Sequence, residues 1–204
     1  MATATIESMS ELNTRWGICG FVSALSALFQ HSPQKRQLEL SSAAKIETRI
    51  LAEIKVYLVT LQADNRVDLL SMITTFTRSF GGQWATFDIK DYIARINASP
   101  NVSPANLGDF SIAMPPDALV DYLRRMCEFK SARILNRTWS LFDPTELILG
   151  LSSDDMNMKL HNHLAHWVYH LNGKVYSWGQ ECGPVPSFLT SHKYSKVVYK
   201  IAIT

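Results

Sequence analysis

The sequence predicts an α+β fold, with helices first and an antiparallel sheet after them. Up to about residue 130, apolar side chains recur at helical spacing. Beyond that point short runs of β-branched and aromatic residues take over, and Asn172-Gly173 separates two of them as in a β-hairpin. Segregated helices and strands are typical of the α+β class. We expect one domain over residues 1–204, with a helical lobe at about 15–130 and a sheet lobe at about 131–204.

Five helices are predicted in the first lobe, and their boundaries follow from capping residues and helix breakers. The first begins near Gly17 and ends near Gln30, before Pro33. The other four are expected to begin after the caps Ser41-Ser42, at Asn65, at Phe87 with Asp88 as the cap, and at Pro115-Pro116, where proline suits a first turn. The turn-rich stretch 97–109 is expected to form a loop.

Four strands are predicted in the second lobe, over about 145–151, 164–171, 174–179 and 196–203. A two-residue turn at Asn172-Gly173 fixes the register of the hairpin. It pairs Leu171 with Lys174, Tyr169 with Tyr176 and Trp167 with Trp178, and it sets His166 opposite Gly179. Alternation then puts His166, Val168 and His170 on one face of the sheet together with Val175 and Ser177.

Composition excludes several classes of protein. A hydrophobic content of 47% with 19% charged residues can form a folded core, and a net charge of +2 argues against a dedicated nucleic-acid surface. No apolar run reaches the ~20 residues of a membrane span. The first residues lack the basic and apolar regions of a cleavable secretory signal. Three cysteines far apart do not form a disulfide framework, so we expect a reduced Cys19.

Cys19 is the first candidate functional residue. It lies in Arg15-Trp16-Gly17-Ile18-Cys19-Gly20-Phe21, directly before the apolar run of the first helix. The flanking glycines allow close backbone approach, and a thiol in the first turn of a helix feels the positive end of the dipole, which favours the thiolate. The alternative is that Cys19 is a small buried residue of the core.

His166 is the second candidate, because the start of a central strand holds a side chain in a fixed direction, as a general base requires. Ser177 and Gln180 on the partner strand could orient the ring. His161, His163, His166 and His170 are close in sequence, so a zinc site is the competing interpretation. On a strand, however, His166 and His170 are separated by about 13 Å, too far for one ion. We expect no metal and no cofactor.

These two segments resemble the papain-like cysteine proteases and hydrolases, in which a cysteine at a helix N-terminus precedes a histidine at the start of a strand. The resemblance implies Cys19 as the nucleophile and His166 as the base. With His166 beside it at the helix N-terminus, the Cys19 thiol is expected to have its pKa lowered from about 8.5 to about 4 to 7. It implies Gln180 or Ser177 as the third, orienting group. Asn13, at the position of the family's glutamine, would help to bind the oxyanion. No metal or cofactor is implied.

The implied activity is thiolate attack on an amide carbonyl of a protein or peptide, as a protease or a glutamine deamidase. The chain is most similar to small bacterial effectors that act on a target in a host or competing cell. It would then be made in the bacterial cytoplasm and secreted or injected without a cleavable signal. Two departures from the family, Asn13 in place of glutamine and no acid on the strand after Lys174, favour an alternative: a catalytically weak or inactive papain-like shell that binds other proteins.

Overall fold

A computed structural model describes residues 17–31, 43–99, 108–135, 144–154, 159–178 and 180–203, with only the backbone given for 43–46. Asn13, Trp16, the caps Ser41-Ser42 and most of the predicted loop 97–109 lie outside the described residues. The described part is a mixed helical and antiparallel-sheet structure, so the predicted α+β class is confirmed. Within these ranges, no helix is both long and apolar enough to cross a membrane.

Six α-helices are described. They are α1 (Cys19–His31), α2 (Ala43–Ala63), α3 (Val67–Arg78), α4 (Ile89–Ala98), α5 (Pro116–Arg125) and α6 (Val185–Ser191). Two starts follow from local chemistry as predicted. The Asp88 carboxylate accepts the N–H groups of Lys90 and Asp91 at 2.9 and 3.1 Å. Pro116 occupies the first turn of α5, where the backbone N–H that proline lacks would have no partner within the helix. The short helix α6 was not predicted.

The sheet has six strands in the spatial order β1-β6-β2-β3-β4-β5. They are β1 (Arg133–Ile134), β2 (Glu146–Ser152), β3 (Leu164–Leu171), β4 (Lys174–Ser177), β5 (Gln180–Glu181) and β6 (Lys196–Ala202), and every pairing is antiparallel. The four long strands agree with the prediction. The two-residue strands β1 and β5 at the sheet edges were missed, because so short a segment carries no alternation of its own.

The sheet is covered on both faces. On one face, Ile148, Trp167 and Tyr169 pack with residues of the five helices α1–α5 in the larger apolar cluster. Val168 and Val175 point the other way and pack with Phe188 of α6 in a smaller cluster. Because side chains alternate along β3, His166 shares the face of Val168, while α1 packs on the opposite face.

The hairpin at Asn172-Gly173 forms in the predicted register, with Tyr169 opposite Tyr176 and Leu171 opposite Lys174. Both turn residues have positive φ, 51° and 83°, as a two-residue hairpin turn requires. The predicted pairing of Trp167 with Trp178 is wrong. β4 ends at Ser177, and Trp178 has a φ of 49°, which redirects its side chain away from the sheet pairing.

Both ends of α1 are tied to other elements. At its C-terminal end, His31 Nε2 lies 2.5 Å from Glu146 Oε2, and the buried Glu146 also accepts the hydroxyl of Tyr169. At its N-terminal end, Gly20 lies so close to the segment 111–114 that a Cβ added there would be 2.7 Å from Cβ of Met114. These contacts at both ends fix the position of α1 relative to the sheet, and with it the position of Cys19.

Asp121 of α5 links three helices. Its carboxylate accepts from Arg66 at 3.2 Å, from Arg125 at 2.9 Å and from the Tyr57 hydroxyl at 3.2 Å. Its side chain is 15% exposed, whereas that of Asp68, the other carboxylate bonded to Arg66, is 59% exposed. Because burial reduces solvent screening, Asp121 should contribute more to stability than Asp68.

Replacing Asp121 with alanine is expected to lower the free energy of unfolding by about 1–3 kcal/mol, because three donors lose a partly buried acceptor. Asp68→Ala is the matched control and should cost much less, because solvent screens its exposed ion pair with Arg66. Urea denaturation followed by circular dichroism measures both. Equal losses in the two variants would contradict the assignment of Asp121 as the centre of this network.

Candidate functional site

A cavity of about 250 Å³ opens where β3 begins. Its wall comes from both faces of the sheet and from the helical layer, and no charged side chain is among the described residues that line it. These are Gly17, Cys19, Phe76, Thr77, Phe80, Trp84, Ser111, Ile112, Ala113, Met114, Leu164, Ala165, His166, Trp167, Trp178 and Tyr194. The cavity therefore combines a thiol and an imidazole with an otherwise largely apolar and aromatic wall.

Cys19 is the first residue of α1, as predicted, and the backbone before it is held in place. The Gly17 N–H donates to Ser111 Oγ at 3.1 Å, and the Gly17 carbonyl accepts the N–H of Ile112 at 3.1 Å. These bonds attach the chain before Cys19 to the extended segment 111–114. The same segment is also attached to β3, because Trp167 donates its indole N–H to the Met114 carbonyl at 2.8 Å.

The thiol of Cys19 is not activated in this structure. Burial raises its pKa from 9.0 to about 11, and the backbone N–H groups of Trp167, Gly20 and Cys19 itself only partly oppose this increase. The predicted pKa of about 4 to 7 is therefore wrong. The helix N-terminus acts in the expected direction, but desolvation of the thiolate is the larger effect.

His166 is buried, and its Nε2 lies 3.1 Å from Ser177 Oγ across the hairpin. Its ring stacks on Trp178 at 4.9 Å between centroids and on Tyr194 at 5.5 Å, with interplanar angles of 9° and 4°. These contacts fix the direction of the imidazole. Burial, followed by a positive charge on nearby His192, lowers the pKa of His166 from 6.5 to about 3.

Cys19 and His166 thus line one cavity as two neutral groups at pH 7. Of the backbone N–H groups that act on the Cys19 sulfur, the one with the largest effect belongs to Trp167, the residue after His166. No hydrogen bond between the two side chains occurs among the bonds of the described residues. Neither the thiolate of Cys19 nor the imidazolium of His166 is therefore favoured at neutral pH.

The other predicted site residues have different positions. Ser177 is buried and is the hydrogen-bond partner of His166. Gln180 is exposed on the edge strand β5, and the described bonds do not join it to His166, so the structure does not bring it into the site. Glu181, the nearest acid after Lys174, is exposed, pairs with Lys174 at 2.8 Å and does not line the cavity. The predicted oxyanion role of Asn13 falls outside the described residues.

His161 and His163, the two histidines just before β3, do not join His166 in lining the cavity. His161 and His163 both have positive φ in a short 3₁₀ segment before β3, and His161 packs against Phe76. Within the described ranges, no group of three or more His, Cys, Asp or Glu side chains is arranged to hold a metal ion.

Sequence reasoning missed the two aromatic residues that stack on His166. Trp178 was expected to pack against Trp167, and Tyr194 was not singled out at all. Tyr194 lies between α6 and β6, far from His166 in the chain, so no local pattern connects them. For Trp178, the sequence offered only its place directly after the residues of β4.

The stability of the protein is expected to fall as the pH decreases from 6.5 towards 3. In this interval unfolded His166 binds a proton and folded His166 does not, so protonation favours unfolding; above pH 7 the effect is absent. Between pH 7 and pH 5 the expected contribution of His166 is about 2 kcal/mol. Urea unfolding at both pH values measures it.

His166→Gln removes the titrating group, so the loss of stability between pH 7 and pH 5 should shrink by that amount. His163→Gln changes an exposed histidine outside the cavity and serves as the control. An unchanged pH dependence in His166→Gln would show that His166 is accessible to protons in the folded state.

Comparison with known proteins gives no relatives: no protein-family model, no curated protein and no solved structure matches this chain.

Proposed function

We propose that this chain is a cysteine-dependent hydrolase of the papain-like kind, acting on an amide carbonyl of a protein or peptide. One observation carries the proposal: Cys19, at the first position of α1, lines the same cavity as His166, whose Nε2 bonds to Ser177. A nucleophile, a base and a group that orients the base are the parts that acyl transfer requires.

In the proposed reaction, His166 takes the proton of Cys19 as the sulfur attacks the carbonyl carbon. His166 then gives this proton to the leaving nitrogen, and water hydrolyses the thioester. Ser177 holds the imidazole through Nε2, which leaves Nδ1 as the nitrogen that would exchange the proton. Since both groups are neutral at rest, the proton moves during the attack and no stable ion pair precedes it.

The lining of the cavity is suited to a substrate that carries an uncharged group beside the reacting carbonyl. Phe76, Phe80, Trp84 and Trp178 provide apolar surface, and the described wall offers no charged partner for a basic or acidic side chain. A large apolar residue, or the neutral side chain of glutamine, fits this chemistry. The resemblance to injected bacterial effectors is the basis for proposing a target protein in another cell.

Product analysis tests the function and separates its two forms. Peptides carrying a fluorogenic amide after an apolar residue report chain cleavage, and glutamine peptides report ammonia release. We expect one of the two products, formed at a rate that depends on Cys19. If neither set of peptides gives a product, even at a high concentration of the protein, the proposal is contradicted.

One observation favours the alternative of a papain-like shell that only binds other proteins. The raised pKa of Cys19 and the lowered pKa of His166 disfavour the thiolate and the imidazolium, the charged forms through which such a pair acts. The alternative predicts no product in either assay and partner binding that Cys19→Ala leaves unchanged. The hydrolase predicts product formation that this substitution removes.

A further inference from the structure

The cavity contains further polar groups, and one of them, the hydroxyl of Tyr194, is used by neither the nucleophile nor the base. Tyr194 lines it together with Cys19 and His166. Its backbone N–H donates to the Leu189 carbonyl of α6 at 3.0 Å, and its ring stacks on His166 and on Phe188. The ring is therefore held from the backbone and from two sides, so its hydroxyl has a restricted position.

The hydroxyl of Tyr194 makes no hydrogen bond within the described part of the chain. Tyr194 is half-buried, whereas the fully buried tyrosines Tyr57, Tyr92 and Tyr169 each bond their hydroxyl to a carbonyl or a carboxylate. A tyrosine in an apolar wall usually finds a partner for its hydroxyl. The donor of Tyr194 is thus available to a group that enters the cavity.

Two further properties suit Tyr194 to donate to an anion beside Cys19. Burial raises its pKa, and a negative charge on Cys19 would raise it further, so the hydroxyl keeps its proton at neutral pH and lies within electrostatic range of the sulfur. The described hydrogen bonds do not join the hydroxyl to the sulfur itself, and both residues border the open volume of the cavity, where a substrate carbonyl would enter.

We propose that Tyr194 is a catalytic residue that donates its hydroxyl hydrogen bond to the carbonyl oxygen of the substrate as Cys19 attacks. This inference rests on the proposed hydrolase function. As the S–C bond forms, the thiol proton passes to His166 and the carbonyl π electrons move onto the oxygen, which accepts from Tyr194. When the intermediate collapses, those electrons re-form the carbonyl, and the leaving group departs with the proton from His166.

The test compares two reactions of the same thiol. Acylation by the p-nitrophenyl ester of N-acetylphenylalanine develops an oxyanion, whereas alkylation by iodoacetamide does not. Single-turnover release of nitrophenolate measures the first, and peptide mass spectrometry of the Cys19 adduct measures the second, separately from Cys127 and Cys182. Tyr194→Phe removes the hydroxyl and keeps the ring that stacks on His166.

We expect Tyr194→Phe to slow acylation roughly 10²-fold, the usual effect of losing one oxyanion donor, with alkylation and the melting temperature unchanged. Equal acylation by Tyr194→Phe and the wild type would overturn the role of Tyr194 and leave the hydrolase proposal standing. An equal decrease in acylation and alkylation would also overturn it, because the hydroxyl would then act on the thiol. Wild-type acylation no faster than that of Cys19→Ala would overturn the hydrolase proposal and this role with it.

Discussion

Replacing Cys19 with alanine is expected to abolish hydrolysis, lowering the rate roughly 10⁴-fold or more, because alanine cannot form the acyl intermediate. The fold should remain intact. Cys19 packs against the edge of the apolar core but also borders an open cavity, so alanine there enlarges existing space and creates no new enclosed void. Turnover of the peptides described above measures the rate, and circular dichroism checks the fold.

Cys182→Ala is the matched control, since Cys182 is also a half-buried free thiol but does not line the cavity. Its activity should equal that of the wild type. Residual hydrolysis by Cys19→Ala at more than a trace would show that another group is the nucleophile. Loss of activity in both variants would indicate a structural effect of removing either thiol.

The largest expected effect on stability comes from Trp167→Ala, at roughly 3–5 kcal/mol. Trp167 is 2% exposed and lies where α1, the segment 111–114 and the sheet meet. Its removal leaves a large void and an unpaired Met114 carbonyl. Because small domains are stable by only about 5–15 kcal/mol, this variant should unfold at a much lower urea concentration.

Trp167→Phe separates packing from hydrogen bonding. It retains an aromatic ring and loses the indole N–H that bonds to Met114, so we expect a smaller cost of about 1–3 kcal/mol. Both variants are measured by urea denaturation with circular dichroism, which does not rely on the tryptophan signal. Costs below about 1 kcal/mol in Trp167→Ala would contradict its central position in the core.

The neutral state of Cys19 and His166 has a different consequence for each of the two candidate functions. For a hydrolase, substrate binding must lower the cost of moving a proton from Cys19 to His166, and polarised donors near the reacting oxygen would do this. A shell that only binds proteins has no such requirement. The acylation experiment on Tyr194 therefore also examines how a cavity with an unactivated thiol could react.

The sequence was sufficient where local chemistry decides the structure. The Asn172-Gly173 turn allows positive φ at both positions, so it fixed the hairpin and brought Ser177 to the face of His166. Capping by Asp88 and the proline at the start of α5 set helix boundaries through bonds within one turn. The α+β class followed from the order of the two periodicities along the chain.

Only the tertiary structure decided the environment of the site. The turn at Trp178 and the stacking of Tyr194 on His166 depend on residues distant in sequence, and neither leaves a periodic signal. The pKa of Cys19 is the clearest case. Its place at a helix N-terminus can be read from the sequence, but the burial that raises the pKa comes from packing against β3 and the segment 111–114. Local sequence thus determined that the thiol lies at a helix N-terminus. Long-range packing determined that the thiol is neutral, because desolvation of a thiolate depends on every element that surrounds the sulfur.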